Sequence, residues 1–202
     1  MAIRVSGTEG YAAEADALVV QYESISFADV HKDVLHLIPD TPSRILDIGA
    51  GTGRDAAGFA AMGHDVVAVE PTAELRIRAM ALHPSPSIEW VDDSLPDLTR
   101  LLTRGETFDV VMLTAVWMHL DEEQRRRAMP NVASLVRDGG VMMLSLRYGP
   151  VPEGRRMFAV SGEETMSLAE AAGMRLVLRY DALEGVQRRP GISWTRLAFR
   201  KG

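Results

Sequence analysis

The sequence predicts an α/β domain, a doubly wound and mostly parallel sheet with helices on both faces. Three observations carry this. Apolar strand-like runs alternate with amphipathic helical stretches along the whole chain. The runs at Asp65–Val69 and Phe108–Thr114 are almost uninterruptedly apolar, as strands buried on both faces are. A Gly49-x-Gly51-x-Gly53 turn joins the first run to a helix, where wound sheets place their ligands.

Residues 11–38 read as two helices, Tyr11–Tyr22 and Phe27–Ile38, ended by Pro39-Asp40-Thr41-Pro42. Strands are expected at Arg44–Ile48, Asp65–Val69, Ile88–Val91, Phe108–Thr114 and Val141–Leu146, then at Arg175–Tyr180 and Ile192–Phe199. A helix from about Thr52 to Met62 stops at Gly63, and Pro71-Thr72 opens another that runs to about Leu82. Asp121-Glu122-Glu123 places acids at the start of a helix that ends before Asp138-Gly139-Gly140. Ser161 and Glu164 form a capping box for a helix ending near Gly173. Between these, Arg147–Val160 breaks the pattern with Pro150, Pro152 and Gly154 and reads as a functional loop or insertion. A polar loop containing Gly and Arg separates the last two strands. One domain spans 1–202, with a helical segment at 1–40 and a wound core at 41–202.

Composition narrows the function. The 202 residues suffice for a real core, and 47% apolar with 25% charged residues suits a globular domain. No apolar run approaches the roughly 20 residues of a membrane span, and the N-terminus has no signal-peptide pattern, so a cytoplasmic protein is expected. Absent cysteines exclude disulfides, thiolate nucleophiles, iron–sulfur clusters and Cys-based zinc. The five histidines form no HxxxH or HExxH pattern, so no metal is expected. A net charge of −6 disfavours a nucleic-acid partner, and no membrane partner is indicated. A small-molecule partner remains.

The glycine turn points to a nucleotide, and its acids narrow the choice. The spacing differs from the GxGxxG that positions a pyrophosphate. Asp47, just before the first glycine, would repel a pyrophosphate and attract an ammonium group. Asp55, in the first helical turn, either adds negative charge or caps the helix. Glu70, ending the second strand, suits a ribose diol.

On Leu46-Asp47-Ile48-Gly49-Ala50-Gly51-Thr52-Gly53, Val67-Ala68-Val69-Glu70-Pro71, Asp92-Asp93-Ser94-Leu95-Pro96 and Phe108-Asp109-Val110-Val111, the chain resembles class I S-adenosylmethionine-dependent methyltransferases of the small, single-domain bacterial kind. The resemblance covers most of residues 40–200. It implies a Rossmann-like, seven-stranded sheet whose last strand is antiparallel. It also implies S-adenosylmethionine as cofactor, with S-adenosylhomocysteine as product, held by Asp47, Gly49, Ala50, Gly51, Gly53, Glu70 and Pro71. In such a site Asp93 bonds the adenine amino group, Ser94 and Leu95 lie nearby, and Ala115 and Val116 line the opposite side; the Asp92-Asp93 doublet leaves the acid open by one residue.

The expected reaction is methyl transfer to an O or N atom of a small metabolite. His119 is the candidate base, with packing or capping as the alternative. Tyr11 and Tyr22, in a helical lid, are expected at the methionine carboxylate or the acceptor, or else packed with their hydroxyls at the rim. Trp117 is expected at the acceptor because it follows the fourth strand. Arg147, Arg155 and Arg156 raise an anionic acceptor as one option, against pairing with surface acids. Two other functions fit the same fold: a non-catalytic sensor or partner that binds the cofactor, and an NAD(P)-dependent oxidoreductase.

Overall fold

A computed structural model describes Val5, residues 7–182 and residues 190–202. Most of the polar loop expected before the last strand, at 183–189, lies outside the described residues. The helices are α1 (Ala15–Glu23), α2 (Phe27–His31), α3 (Arg54–Ala61), α4 (Ala73–Leu82), α5 (Thr99–Leu102), α6 (Glu122–Leu135) and α7 (Gly162–Ala171). The strands are β1 (Arg44–Ile48), β2 (Asp65–Val69), β3 (Ile88–Val91), β4 (Phe108–Leu113), β5 (Val136–Tyr148), β6 (Met174–Ala182) and β7 (Ser193–Lys201).

The seven strands form one sheet in the order β3-β2-β1-β4-β5-β7-β6. β7 lies between β5 and β6 and runs antiparallel to both, while the other pairings are parallel. The expected seven-stranded sheet with an antiparallel last strand is what the structure has.

Alternate side chains of the buried strands feed opposite faces, as the two-residue period of a strand requires. Leu46, Val67, Val111 and Met142 pack with residues of α5, α6 and α7, such as Leu101, Met129 and Ala169. Ile45, Val66, Val110 and Val141 pack instead with Phe59 of α3 and with Val34 and Ile38 of the N-terminal segment. α1 sits on α4 through Ala15, Leu18 and Leu75. The N-terminal segment is therefore part of the wound fold, packed on one face of the sheet and on α4.

Several boundaries differ from the sequence reading. The expected Phe27–Ile38 helix is the short α2 followed by a 3-10 turn at Leu35–Leu37. β5 starts at Val136, and the Asp138-Gly139-Gly140 turn is an irregularity inside it, where pairing with β4 shifts register. Pairing across a bulge leaves no hydrophobic signature, which is why it read as a turn. α5 was not expected; its four residues are too few for a helical period.

Gly58 fixes α2 on α3. A Cβ there would lie 2.3 Å from Phe27 Cγ, and the Phe27 ring meets Phe59 edge-on at 4.9 Å. Gly58→Ala gains about 1 kcal/mol of helix preference but must displace the Phe27 ring, at about 2–3 kcal/mol. A thermal melt should therefore show a Tm lower by several degrees, although the same change in an unconstrained helix would raise it.

Candidate functional site

The loops that follow β1, β2, β4 and β5 open onto one cavity of about 730 Å³, closed on its far side by the N-terminal segment and residues 152–157. Strand C-termini gather here because parallel strands all point the same way.

Asp47 ends β1 beneath the glycine turn and is 1% exposed, with Oδ2 lacking any partner. Burial, reinforced by the charge of Asp55, pushes its carboxyl well above the usual range. A buried acid in this state is a receptor for a cation, since an ammonium would supply the missing donor and favour ionisation. Glu70, after β2, is buried as well, which raises its carboxyl. Its Oε2 accepts the Gly51 N–H at 2.8 Å, and its Oε1 accepts the Thr72 N–H at 2.7 Å. Each oxygen can still take a second donor, as a ribose diol requires.

The three glycines do different things. Gly51 has φ +58°, and a Cβ on it would meet nothing nearer than 4.0 Å, so its backbone faces open space that a ligand can approach. At Gly49 a Cβ would lie 2.5 Å from Val116 Cγ2, so the turn packs directly on the loop after β4. Gly53 sits against Trp90 and His83, away from the cavity wall, and starts α3 in a left-handed conformation. Ala50 and Pro71 complete this wall.

Of the acidic doublet, Asp93 lines the cavity with Ser94 and Leu95, whereas Asp92 is exposed and pairs with Arg76 at 3.2 Å. The Asp93 carboxylate accepts the N–H groups of Ser94, Arg100 and Leu101, so it shapes its loop and starts α5. Ala115, opposite, has φ +58° and donates its N–H to Ser145 Oγ at 2.9 Å.

His119 reaches the cavity from the turn after β4, 8% exposed. Its Nδ1 lies 2.8 Å from the Arg156 carbonyl, which can only accept, so the proton is on Nδ1 and Nε2 carries the lone pair. Nε2 lies 3.0 Å from the Tyr11 hydroxyl. Burial lowers the imidazole, and the Arg155 and Arg147 charges add to this, so it is neutral at pH 7. Tyr11 also hydrogen-bonds the Tyr22 side chain, and burial raises its phenol far above the ordinary value. The Arg155 guanidinium stacks over the Tyr11 ring at 4.1 Å and pairs with Glu14 at 2.7 Å. Tyr22 and Arg147 line the same cavity.

Trp117 corrects the sequence reading. It is 0% exposed in the core below β4 and does not line the cavity. The 3-10 turn Trp117–His119 sends its first side chain inward and its last toward the cavity. Arg156 contributes its carbonyl; its guanidinium lies 3.8 Å from Glu9 and 4.0 Å from Asp121.

Other residues of the site escaped sequence reasoning. His31 Nε2 pairs with Asp55 Oδ2 at 2.8 Å, both buried, and so seats α2 on the start of α3. Burial alone would raise the Asp55 acid, but His31 and Arg54 outweigh it and hold it well below its usual range. Thr52 donates to Glu23 at 2.6 Å. Ser145 and Arg196 also line the cavity; Ser145, a lone polar residue within an apolar strand, was the one visible signal.

The fold and this edge define a wound-sheet domain with a cavity at the C-terminal ends of its strands, lined by buried acids and a glycine turn. Comparison with known proteins agrees. Residues 45–140 match a family model described as a methyltransferase domain. An uncharacterized methyltransferase of Mycobacterium tuberculosis is 32% identical over 111 residues, covering 52% of this chain and 40% of that protein. The chain thus spans about two fifths of the length of the curated relatives it first matches. Among solved structures, a TehB-like SAM-dependent methyltransferase from Corynebacterium glutamicum superposes with a TM-score of 0.70 at 21% identity, over 94% of this chain and 99% of the other. The 1,6-didemethyltoxoflavin-N1-methyltransferase of Burkholderia thailandensis, solved with S-adenosylhomocysteine and 1,6-didemethyltoxoflavin, gives 0.65 at 22%, over 100% and 92%. Residues 45–140 are therefore similar to a methyltransferase domain, and the chain shares the fold of solved S-adenosylmethionine-dependent methyltransferases.

Proposed function

We propose that this chain transfers a methyl group from S-adenosylmethionine to an O or N atom of a small metabolite, an anionic one being favoured by the arginines at the acceptor end. The observation that carries the reading is one cavity with two chemically distinct ends. Asp47 and Glu70, with the bare Gly51 backbone between them, form one end, and His119 with Tyr11, Arg147 and Arg155 forms the other. When bound, the cofactor supplies a methyl group on a sulfonium whose leaving group is a neutral thioether.

The protein's own task is alignment, exclusion of water and removal of one proton. Asp47 and Glu70 hold the amino-acid and ribose parts, while Asp93, Ser94 and Leu95 face the base. His119 is the proton acceptor through Nε2, and the Arg156 carbonyl fixes its tautomer. Residues 1–40 act as a lid over the core at 41–202, with Tyr11 and Tyr22 on its inner face and the loop from 149 to 160 closing beside them. Acceptor contacts fall to Tyr11, Tyr22, Arg147 and Arg155. The same reading places the work in the cytoplasm, on a small molecule and without nucleic-acid or membrane partners; the net charge of −6 supports this, because such a surface repels phosphates.

Titration calorimetry with S-adenosylhomocysteine is the test. Saturable binding in about the micromolar range is expected, with no heat from NAD(P). A flat S-adenosylhomocysteine titration would remove the reading. Binding without S-adenosylhomocysteine release across a broad acceptor panel would turn it toward a sensor.

A further inference from the structure

The cavity lined by His119 is also lined by Arg147 and Arg155. We propose that the methyl acceptor is an acidic O–H or N–H compound of the phenol, enol or imide class, held as its anion between Arg147 and Arg155 beside the Tyr11–His119 pair. This rests on the methyl-transfer reading and narrows it to one acceptor class, against aliphatic amines.

Cations are divided between the two ends. The charge of Arg54 acts on Asp47, whereas those of Arg155 and Arg147 act on His119, opposed there by Glu9. The methionine carboxylate, bonded to the same carbon as the ammonium, stays at the Asp47 end, where Arg54 also lines the cavity. Arg147 and Arg155 line the cavity with His119, while Arg196, which also lines it, faces Asp33 at 3.9 Å.

The acid paired with Arg155 does not cancel its charge. Arg155 has a side chain 5% exposed, while its partner Glu14 is 51% exposed. Water screens Glu14 far more than it screens the guanidinium, so the field inside the cavity keeps the sign of the arginine. Arg155 uses Nη2 for Glu14, and its Nη1 is buried with no hydrogen-bond partner. Glu9 and Asp121 face Arg156 at 3.8 Å and 4.0 Å, and the charge of Glu9 also acts on His119, though less than that of Arg155. A protonated amine would meet this field and a neutral imidazole. An oxyanion or azanion would be stabilised by it.

An acceptor that enters protonated first gives its proton to His119 Nε2, directly or by exchange through the Tyr11 hydroxyl, and is then held as the anion. The freed lone pair forms the bond to the methyl carbon as the C–S pair returns to sulfur. The imidazolium then yields its proton to water, which balances atoms and charge.

The test uses the whole chain saturated with S-adenosylhomocysteine and 4-nitrophenol as the probe, whose anion is coloured. Bound 4-nitrophenol should ionise at a pH about one unit lower than free probe, a tenfold preference for the anion. At a pH where the free phenol is ionised, it should bind at least about tenfold tighter than neutral 4-nitroaniline of the same shape. R147Q and R155Q should each reduce the shift while S-adenosylhomocysteine still binds. Ionisation unshifted or raised, equal affinity for the aniline, no binding to the loaded protein, or competition with S-adenosylhomocysteine would each overturn the proposal. Loss of S-adenosylhomocysteine binding itself, measured first, would instead strike the reading beneath it.

Discussion

Asp47→Asn should stabilise the ligand-free protein and weaken S-adenosylhomocysteine binding at the same time. The carboxylate is buried, faces the like charge of Asp55, and has one oxygen with no donor. Its folded pKa stands above the unfolded value, so its contribution to stability is complete below about pH 4 and is lost as pH rises through the folded value. Asp55 runs the other way: its depressed pKa contributes stability above the unfolded value, which is lost as pH falls. An amide at position 47 removes the cost at neutral and alkaline pH and nothing in acid. Relief of about 1–2 kcal/mol should raise the ligand-free Tm by roughly 2–8 °C at pH 8 and by little at pH 4. Without its charge, the amide should weaken S-adenosylhomocysteine by about 10–100-fold, the worth of one hydrogen bond to a charged group. Thermal shift with and without ligand reads both effects. A destabilised variant with unchanged affinity would make Asp47 a purely structural acid.

These opposed effects show why the cofactor end was legible in the sequence. Asp47, the glycine turn and Glu70 lie within a short stretch, and the parallel register of β1 and β2 sets Asp47 beside Ala68, two residues before Glu70. Local sequence therefore carries their geometry almost entirely. The buried strands were legible for a related reason, since β2 and β4 have apolar residues for both faces and little else. The antiparallel direction of β7 has no such trace in its own residues and followed from the family resemblance alone; its place between β5 and β6 was not expected.

The acceptor end was legible only as a set of residues, without their partners. Tyr11 and His119 are 108 residues apart and Glu14 and Arg155 are 141 apart, and no periodicity links such positions. His31 meets Asp55 only because Gly58 lets the Phe27 ring settle on α3. Trp117 failed for a different reason. Its place after β4 was correct, but in a 3-10 turn the direction of a side chain is set by the chain's path and not by its proximity to the site.

His119→Ala should have the largest effect on turnover. A positioned base contributes about 10²–10⁴-fold to rate, so kcat, followed as S-adenosylhomocysteine release, should fall in that range. S-adenosylhomocysteine affinity should stay within about threefold if His119 acts on the acceptor as proposed. The pH dependence is a sharper discriminator. Burial lowers the folded imidazole below its unfolded value of 6.5, so the group is neutral and competent at pH 7 and loses its lone pair only on the acid side of 6.5. The acid limb of kcat should therefore lie below that of an ordinary histidine and disappear in the variant. Stability follows the same sign: the depressed pKa contributes above 6.5 and the contribution is lost as pH falls, so contact with Tyr11 should loosen in acid. Unchanged kcat with a lower Tm would assign His119 to packing, as the residue that holds Tyr11 and the Arg156 carbonyl in place.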